Sequence, residues 1–116
     1  MPEGRRDRDF LEDICEALRR IKDYTATLTY EDFMQVAMVQ DAVIRNLEIL
    51  GEAAKRLTPD LKETHAEIPW RSISGMRDRL IHDYFGVNYS VVWTVAEREV
   101  PILLAQVEVL LSSPNL

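Results

Sequence analysis

The stretch that decides the fold runs from residue 29 to residue 59 and reads TYEDFMQVAMVQDAVIRNLEILGEAAKRLTP. Its first four residues have the form of a capping box, in which the side chains of Thr29 and Asp32 bond to backbone amides at a helix start. Apolar residues then recur at steps of three and four up to Thr58 and Pro59, which end the pattern. They are Phe33, Val36, Val43, Leu47, Leu50, Ala54 and Leu57. The spacing predicts one long helix of roughly 28 residues.

Helical periodicity continues on both sides of this stretch. Upstream, the pattern predicts an amphipathic helix over roughly residues 8 to 26, with the apolar face Phe10, Leu11, Ile14, Ala17, Leu18 and Ile21. Downstream, residues 59–69 hold turn residues and one possible short helical turn. A third helix begins at Trp70 and ends before Gly86, which suits a left-handed cap. A fourth begins at Asn88 or Ser90 and contains Pro101, which should kink it.

No segment alternates with a period of two, so the sequence predicts an all-α fold. We expect an antiparallel bundle of four main helices plus a possible short one, forming a single domain over residues 1–116 with residues 1–7 frayed. The fourth helix carries a second apolar row, about 100 degrees from the first, made of Trp93, Val100, Leu104 and Leu111. Because one small bundle cannot easily cover both rows, we expect a partner helix.

Composition restricts the class of protein. The chain has 116 residues, of which 47% are hydrophobic and 29% charged, as expected of one globular domain. It contains no run of 18 apolar residues and starts with a charged segment, so we expect a cytoplasmic protein without a membrane segment. A single cysteine, Cys15, and two histidines, His65 and His82, predict neither a metal site nor a cofactor. The net charge of -6 argues against sequence-independent binding of nucleic acid, so any RNA contact must be local.

The third helix holds the most informative polar residues. On a regular helix Arg77 and Tyr84 share the apolar sector of Ile73 and Leu80. The Arg77 guanidinium must then extend to water, or meet a carboxylate, a phosphate or a subunit boundary. His82 lies one turn before Gly86, where it can act as an acid or base or simply cap the last carbonyls.

The angle between these two residues raises a difficulty. His82 points about 140 degrees away from Arg77 on a straight helix. Either the helix loosens between His82 and Gly86, or two copies of the chain form the site together.

A charged stripe follows the long helix at steps of four, three and four: Asp41, Arg45, Glu48 and Glu52. Such stripes are commonly solvated faces tied by weak ion pairs. The functional alternatives are that Glu48 or Glu52 neutralises and orients Arg77, or that Asp41 and Arg45 line a nucleotide site.

The segment IPWRSISGMRDRLIHDYFGV, residues 68–87, resembles the signature of HepT-like proteins in the HEPN superfamily. The motif of that family is Arg, four residues, His, one residue, Tyr, and Arg77, His82 and Tyr84 fit it without a gap. Agreement extends upstream over residues 40–54 and downstream to Val92 and Trp93, so the resemblance covers nearly the whole domain.

The resemblance implies a dimeric helical bundle with the motif at or near the subunit groove. It implies a metal-independent ribonuclease that acts as a toxin, with RNA as substrate and a minimal nucleotidyltransferase as antitoxin, which can transfer AMP to Tyr84. In that chemistry His82 is the acid or base, Arg77 clamps the phosphate and Tyr84 positions it. Asp41, Arg45, Glu48, Glu52 and Arg79 are the supporting or substrate-binding candidates.

Two other interpretations remain open at this point. The chain could be a non-catalytic nucleotide-binding or AMP-acceptor partner of a nucleotidyltransferase, which the acidic charge favours. It could also be a structural bundle in which the motif is accidental, and substitutions of Arg77 and Tyr84 would then alter stability alone.

Overall fold

The computed structural model describes residues 6–82, 86–114 and 116, and the side chain of His82 is not part of that description. Helices dominate the described part of the fold, and a short antiparallel hairpin lies between two of them. The elements in chain order are α1 (Asp7–Thr25), α2 (Tyr30–Gln35), α3 (Ala37–Lys55), α4 (Pro59–Thr64), α5 (Trp70–Ser74), α6 (Met76–Leu80), β1 (Ile81–His82), β2 (Gly86–Val87), α7 (Tyr89–Thr94), a π-helical segment (Val95–Glu99) and α8 (Val100–Leu111). Within the described ranges, no helix is both long enough and apolar enough to cross a membrane.

The core forms where α1 packs against α3 and α8. The predicted apolar face of α1 is confirmed, because Leu11, Ile14, Ala17, Leu18 and Ile21 are all buried, while Phe10 is partly buried at the edge of the core. The predicted short helical turn after Pro59 is also present, as α4.

The prediction of one long second helix is wrong at Val36, where the backbone is extended and separates α2 from α3. The capping box at Thr29 is as predicted: its amide donates to Asp32 and its hydroxyl accepts from the Asp32 amide, both at 3.1 Å. At the break, the buried Gln40 side chain donates to the carbonyl of Phe33 at 2.9 Å. A side-chain bond thus satisfies a carbonyl next to the break, which apolar spacing alone does not reveal.

The predicted third helix is also divided. It breaks at Gly75 and ends at Leu80, because Ile81 is extended and begins the hairpin in which Ile81 pairs with Val87 and His82 with Gly86. Gly86 has the positive φ expected of it, 74°, but adopts it in a hairpin rather than at a helix end. His82 therefore lies on a strand, beyond the helix.

The last helix starts as predicted, with the Asn88 side chain accepting from the amide of Val91 at 3.2 Å. Pro101 lies in the first turn of α8, immediately after the π-helical segment, and the kink at Pro101 stays a prediction. The inference of a partner from the second apolar row is wrong. Trp93, Val100 and Leu104 are buried within this chain, and Leu111 packs against the same core.

Candidate active site

A cavity of about 610 Å³ opens between α1, α3 and the α5–α6 segment. Its walls bring together residues that are far apart in the sequence, and they include several of the predicted functional ones. The lining residues are Phe10, Asp13, Arg45, Glu48, Ile49, Gly51, Glu52, Ala53, Lys55, Arg56, Ser74 and Arg77. A ligand in this cavity would contact the motif arginine and the charged stripe of the long helix at the same time.

Arg77 reaches the cavity because the α5–α6 segment packs closely on α3. Gly51 makes this possible: a Cβ atom at this position would lie 3.1 Å from the carbonyl oxygen of Ile73 and 3.6 Å from the Cβ of Met76. The break at Gly75 changes the helical register that the sequence analysis assumed. Arg77 is exposed rather than held in the apolar sector, while Met76 and Leu80 fill the core beside it.

The charged stripe on α3 forms one wall of the cavity. Arg45, Glu48 and Glu52 all line it. Asp41 is exposed and lies outside the lining, one turn before Arg45. Within the described part of the chain, neither Glu48 nor Glu52 forms an ion pair with Arg77, so direct neutralisation of Arg77 is not observed.

Arg56 was missed by the sequence analysis. It lies four residues after Glu52 and continues the same stripe at helical spacing, so the periodicity that selected the other members could have found it. Phe10 and Asp13 of α1 were missed as well. No local pattern marks them, because only the packing of α1 on α3 brings them to the cavity.

The cavity arginines differ from most others in the chain. Arg8, Arg19, Arg20, Arg79 and Arg98 each have a carboxylate within 4 Å. Among the residues that the structure describes, the guanidinium groups of Arg45, Arg56 and Arg77 have no ion pair or hydrogen bond. Lys55 pairs with Glu52 at 3.3 Å. The acidic chain thus presents a local set of unengaged cations, a suitable environment for a phosphate group.

Arg79 faces away from the cavity. Its guanidinium donates to both carboxylate oxygens of Glu99, at 3.0 and 2.6 Å, and to the hydroxyl of Ser72 at 2.9 Å. The hydrogen bond with Glu99 raises the pKa of Arg79 further above its usual value. These donors are engaged with protein atoms, and contact between Arg79 and a substrate stays a prediction.

The remaining motif residues lie after α6. The backbone of His82 is in β1, so the angle of 140 degrees from Arg77, which assumed an unbroken helix, does not apply. Tyr84 lies outside the described residues. Across the described ranges, no three His, Cys, Asp or Glu side chains are grouped so that they could hold a metal ion.

Comparison with known proteins gives a consistent result. Residues 14–110 match the family model described as "Ribonuclease HepT-like". The chain is 46% identical over 104 residues to "Probable ribonuclease HepT" of Thermococcus cleftensis, which covers 90% of this chain and 94% of that protein. It is 40% identical over 104 residues to "Putative RNase TTE0752" of Caldanaerobacter subterraneus subsp. tengcongensis. This alignment covers 90% of this chain and 93% of that protein. No solved structure matches the chain.

Proposed function

The chain belongs to the HepT-like ribonuclease family, and we propose that it is an endoribonuclease that cleaves RNA without a metal ion. The observation that carries this proposal is the cavity in which Arg45, Arg56 and Arg77 have no ion pair within the described chain. In a chain with a net charge of -6, three unengaged guanidinium groups on one cavity favour a local polyanion contact. The names of the relatives specify RNA as the substrate class.

The reaction that these residues suit is attack of a ribose 2'-hydroxyl on the adjacent phosphorus. The new bond joins the 2'-oxygen to phosphorus, the bond to the 5'-oxygen breaks, and the products carry a cyclic phosphate and a 5'-hydroxyl. His82 takes or supplies the proton, and Arg77 stabilises the negative charge that develops on the phosphate oxygens. Tyr84 positions the phosphate through its hydroxyl. The planar guanidinium of Arg77 can bind two phosphate oxygens at once.

The active form in this proposal is a homodimer with the motif near the subunit groove. Support comes from a part of α8 that the sequence analysis did not select. Ile102 and Val109 are 62% and 72% exposed, and a spacing of seven residues places them on the same helical face. A partner that packs against this face of α8 would cover both aliphatic side chains.

The biological role in this proposal is that of a toxin, which a minimal nucleotidyltransferase neutralises by transferring AMP to Tyr84. The motif Arg77, His82 and Tyr84 supports it through its fit to the family signature. Such a transfer joins the Tyr84 phenolic oxygen to the α-phosphorus of ATP, and pyrophosphate leaves.

Cleavage in EDTA tests the enzymatic part directly. Purified, unmodified protein should cut single-stranded RNA with EDTA present and leave cyclic phosphate ends. The variant His82→Ala should lose this cleavage while keeping the molar mass of the wild-type assembly. Cleavage at the wild-type rate by His82→Ala would refute the assignment of His82, and a wild-type protein that cuts only with added metal would refute metal independence.

A second candidate function is that of a non-catalytic AMP acceptor, which the net charge of -6 favours because it opposes RNA binding. The intact mass of the protein after incubation with the cognate nucleotidyltransferase and ATP tests whether the chain accepts AMP. A gain of one or more AMP units that disappears in Tyr84→Phe supports the acceptor role. If the unmodified protein also cuts RNA, the modification is silencing of an enzyme and the non-catalytic interpretation fails.

A further inference from the structure

We propose that Arg56 and Arg45 hold different phosphates of one RNA strand, so that the cavity binds a single-stranded segment rather than one nucleotide. This inference rests on the proposed ribonuclease function and names a binding subsite within it. Arg56 lies outside the motif and outside the set of residues that the sequence analysis selected.

Arg45 and Arg56 are well separated along the helix axis of α3. Arg45 and Arg56 are eleven residues apart, which corresponds to about 16 Å along a helix and to a rotation of about 20 degrees. They therefore lie on the same face, and both line the cavity. With both side chains projecting from the helix, this separation suits successive phosphates of one strand better than a single phosphate.

Two carboxylates lie between the two arginines. Glu48 and Glu52 occupy the same face between Arg45 and Arg56, and both line the cavity. Their carboxylates repel phosphate but can accept hydrogen bonds from ribose hydroxyls or base amino groups. This order of charges favours phosphate contacts at the two ends of the wall, with sugar or base between them.

The exposure and the side-chain contacts of Arg56 also support the proposal. It is exposed at the carboxyl end of α3, and its backbone amide continues the helical bonding by donating to the carbonyl of Ala53 at 3.0 Å. Within the described residues its guanidinium has no carboxylate partner, although Lys55 beside it is paired with Glu52. Arg56 is thus available to a ligand, and removing its side chain breaks no ion pair of the described chain.

The experiment measures binding separately from cleavage. A fluorescently labelled 2'-O-methyl RNA oligomer of eight nucleotides cannot undergo attack by its 2'-oxygens, so the wild-type protein can be titrated with it at several salt concentrations. Each phosphate contact contributes about 0.7 to the slope of log affinity against log salt for single strands. Arg56→Ala should weaken binding about tenfold at low salt and lower this slope by about 0.7, while Arg56→Lys should keep the slope.

Arg98→Ala is the matched control. It removes the same charge from an exposed position on the π-helical segment, outside the cavity, and should leave the slope unchanged. Equal slopes for wild type, Arg56→Ala and Arg98→Ala would overturn the proposal, and so would absence of binding by the wild type. A protein that cleaves RNA but shows no effect of Arg56→Ala refutes the subsite alone. A protein whose binding depends on Arg56 but which never cleaves refutes the enzymatic proposal alone.

Discussion

Arg79 and Glu99, twenty residues apart, are joined by two parallel hydrogen bonds of 3.0 and 2.6 Å. The pair connects α6, which carries Arg77, to the π-helical segment that precedes α8. Ser72 of α5 accepts a further bond from Arg79 at 2.9 Å. Three elements therefore meet at one guanidinium group, which fixes α6 from the side opposite the cavity.

Removal of this pair should cost stability. The side chains of Arg79 and Glu99 are 32% and 36% exposed. Exposed ion pairs contribute little to stability and the loss of one partner of a buried pair is severe, so we expect an intermediate effect here. Arg79→Ala should lower the free energy of unfolding by about 1 to 2 kcal/mol, measured by urea denaturation. Arg98→Ala, which removes a more exposed arginine 3.8 Å from Glu97, should stay within about 0.5 kcal/mol of wild type. Equal stability of the two variants would contradict a structural role for Arg79.

Gly51→Ala tests the close contact between α3 and α5. Helix propensity alone predicts a gain of about 1 kcal/mol for this change. The added methyl group would lie 3.1 Å from the carbonyl oxygen of Ile73, and overpacking of this kind costs about 1 to 3 kcal/mol. We expect a net loss of stability in urea denaturation, together with cleavage about tenfold slower as Arg77 is displaced. A more stable variant with unchanged cleavage would show that this contact does not position Arg77.

Cys15 should be an unreactive thiol in the folded protein. Burial raises its pKa, and the carboxylates of Glu108 and Glu12 add to this effect while Arg19 opposes it. Because the pKa of the thiol is higher in the folded state, this contribution to the free energy of unfolding is full below the pKa of the unfolded thiol. It is lost as the pH rises from there through the pKa of the folded thiol. Reaction with a thiol reagent at pH 8 should be slow in buffer and fast in urea. Equal rates in both conditions would contradict the burial.

The proposed dimer predicts a specific effect on α8. Ile102→Glu should convert an assembly of twice 13.4 kDa to single chains in light scattering, since a buried unpaired carboxylate is costly at an interface. Met38→Glu alters another strongly exposed apolar side chain, 84% exposed on α3, and should leave the assembly intact. A wild-type mass of one chain, or an Ile102→Glu dimer, would contradict the proposed interface.

Periodicity predicted the elements of the fold better than their limits. The face of α1, the capping box at Thr29 and the start of the last helix at Asn88 follow from local patterns, and the structure confirms them. The breaks at Val36 and Gly75 were not predicted. At Val36 the Gln40 side chain donates to the backbone carbonyl of Phe33, seven residues earlier, and the apolar periodicity does not reveal such a bond.

The candidate site also contains residues that local patterns predicted and residues that only the packing of the helices brings to it. The stripe on α3 and the motif arginine were selected from spacing and resemblance, and Arg45, Glu48, Glu52 and Arg77 do line one cavity. Phe10 and Asp13 reach it only through the packing of α1. The second apolar row of the last helix was misjudged because the amount of neighbouring structure that covers a helix is a property of the whole fold. Asp41 and Arg79 remain predictions as substrate contacts.

The most direct test of the central claim is the rate of RNA cleavage in EDTA by wild type and Arg77→Lys, measured side by side. The Arg77 side chain is exposed and makes no hydrogen bond or ion pair within the described chain, so the substitution should leave the urea midpoint unchanged. The ammonium group cannot bind two phosphate oxygens in the way a guanidinium does, and we expect cleavage to fall about 100-fold. Cleavage by Arg77→Lys at the wild-type rate would contradict the assignment of this cavity as the place where RNA is cut.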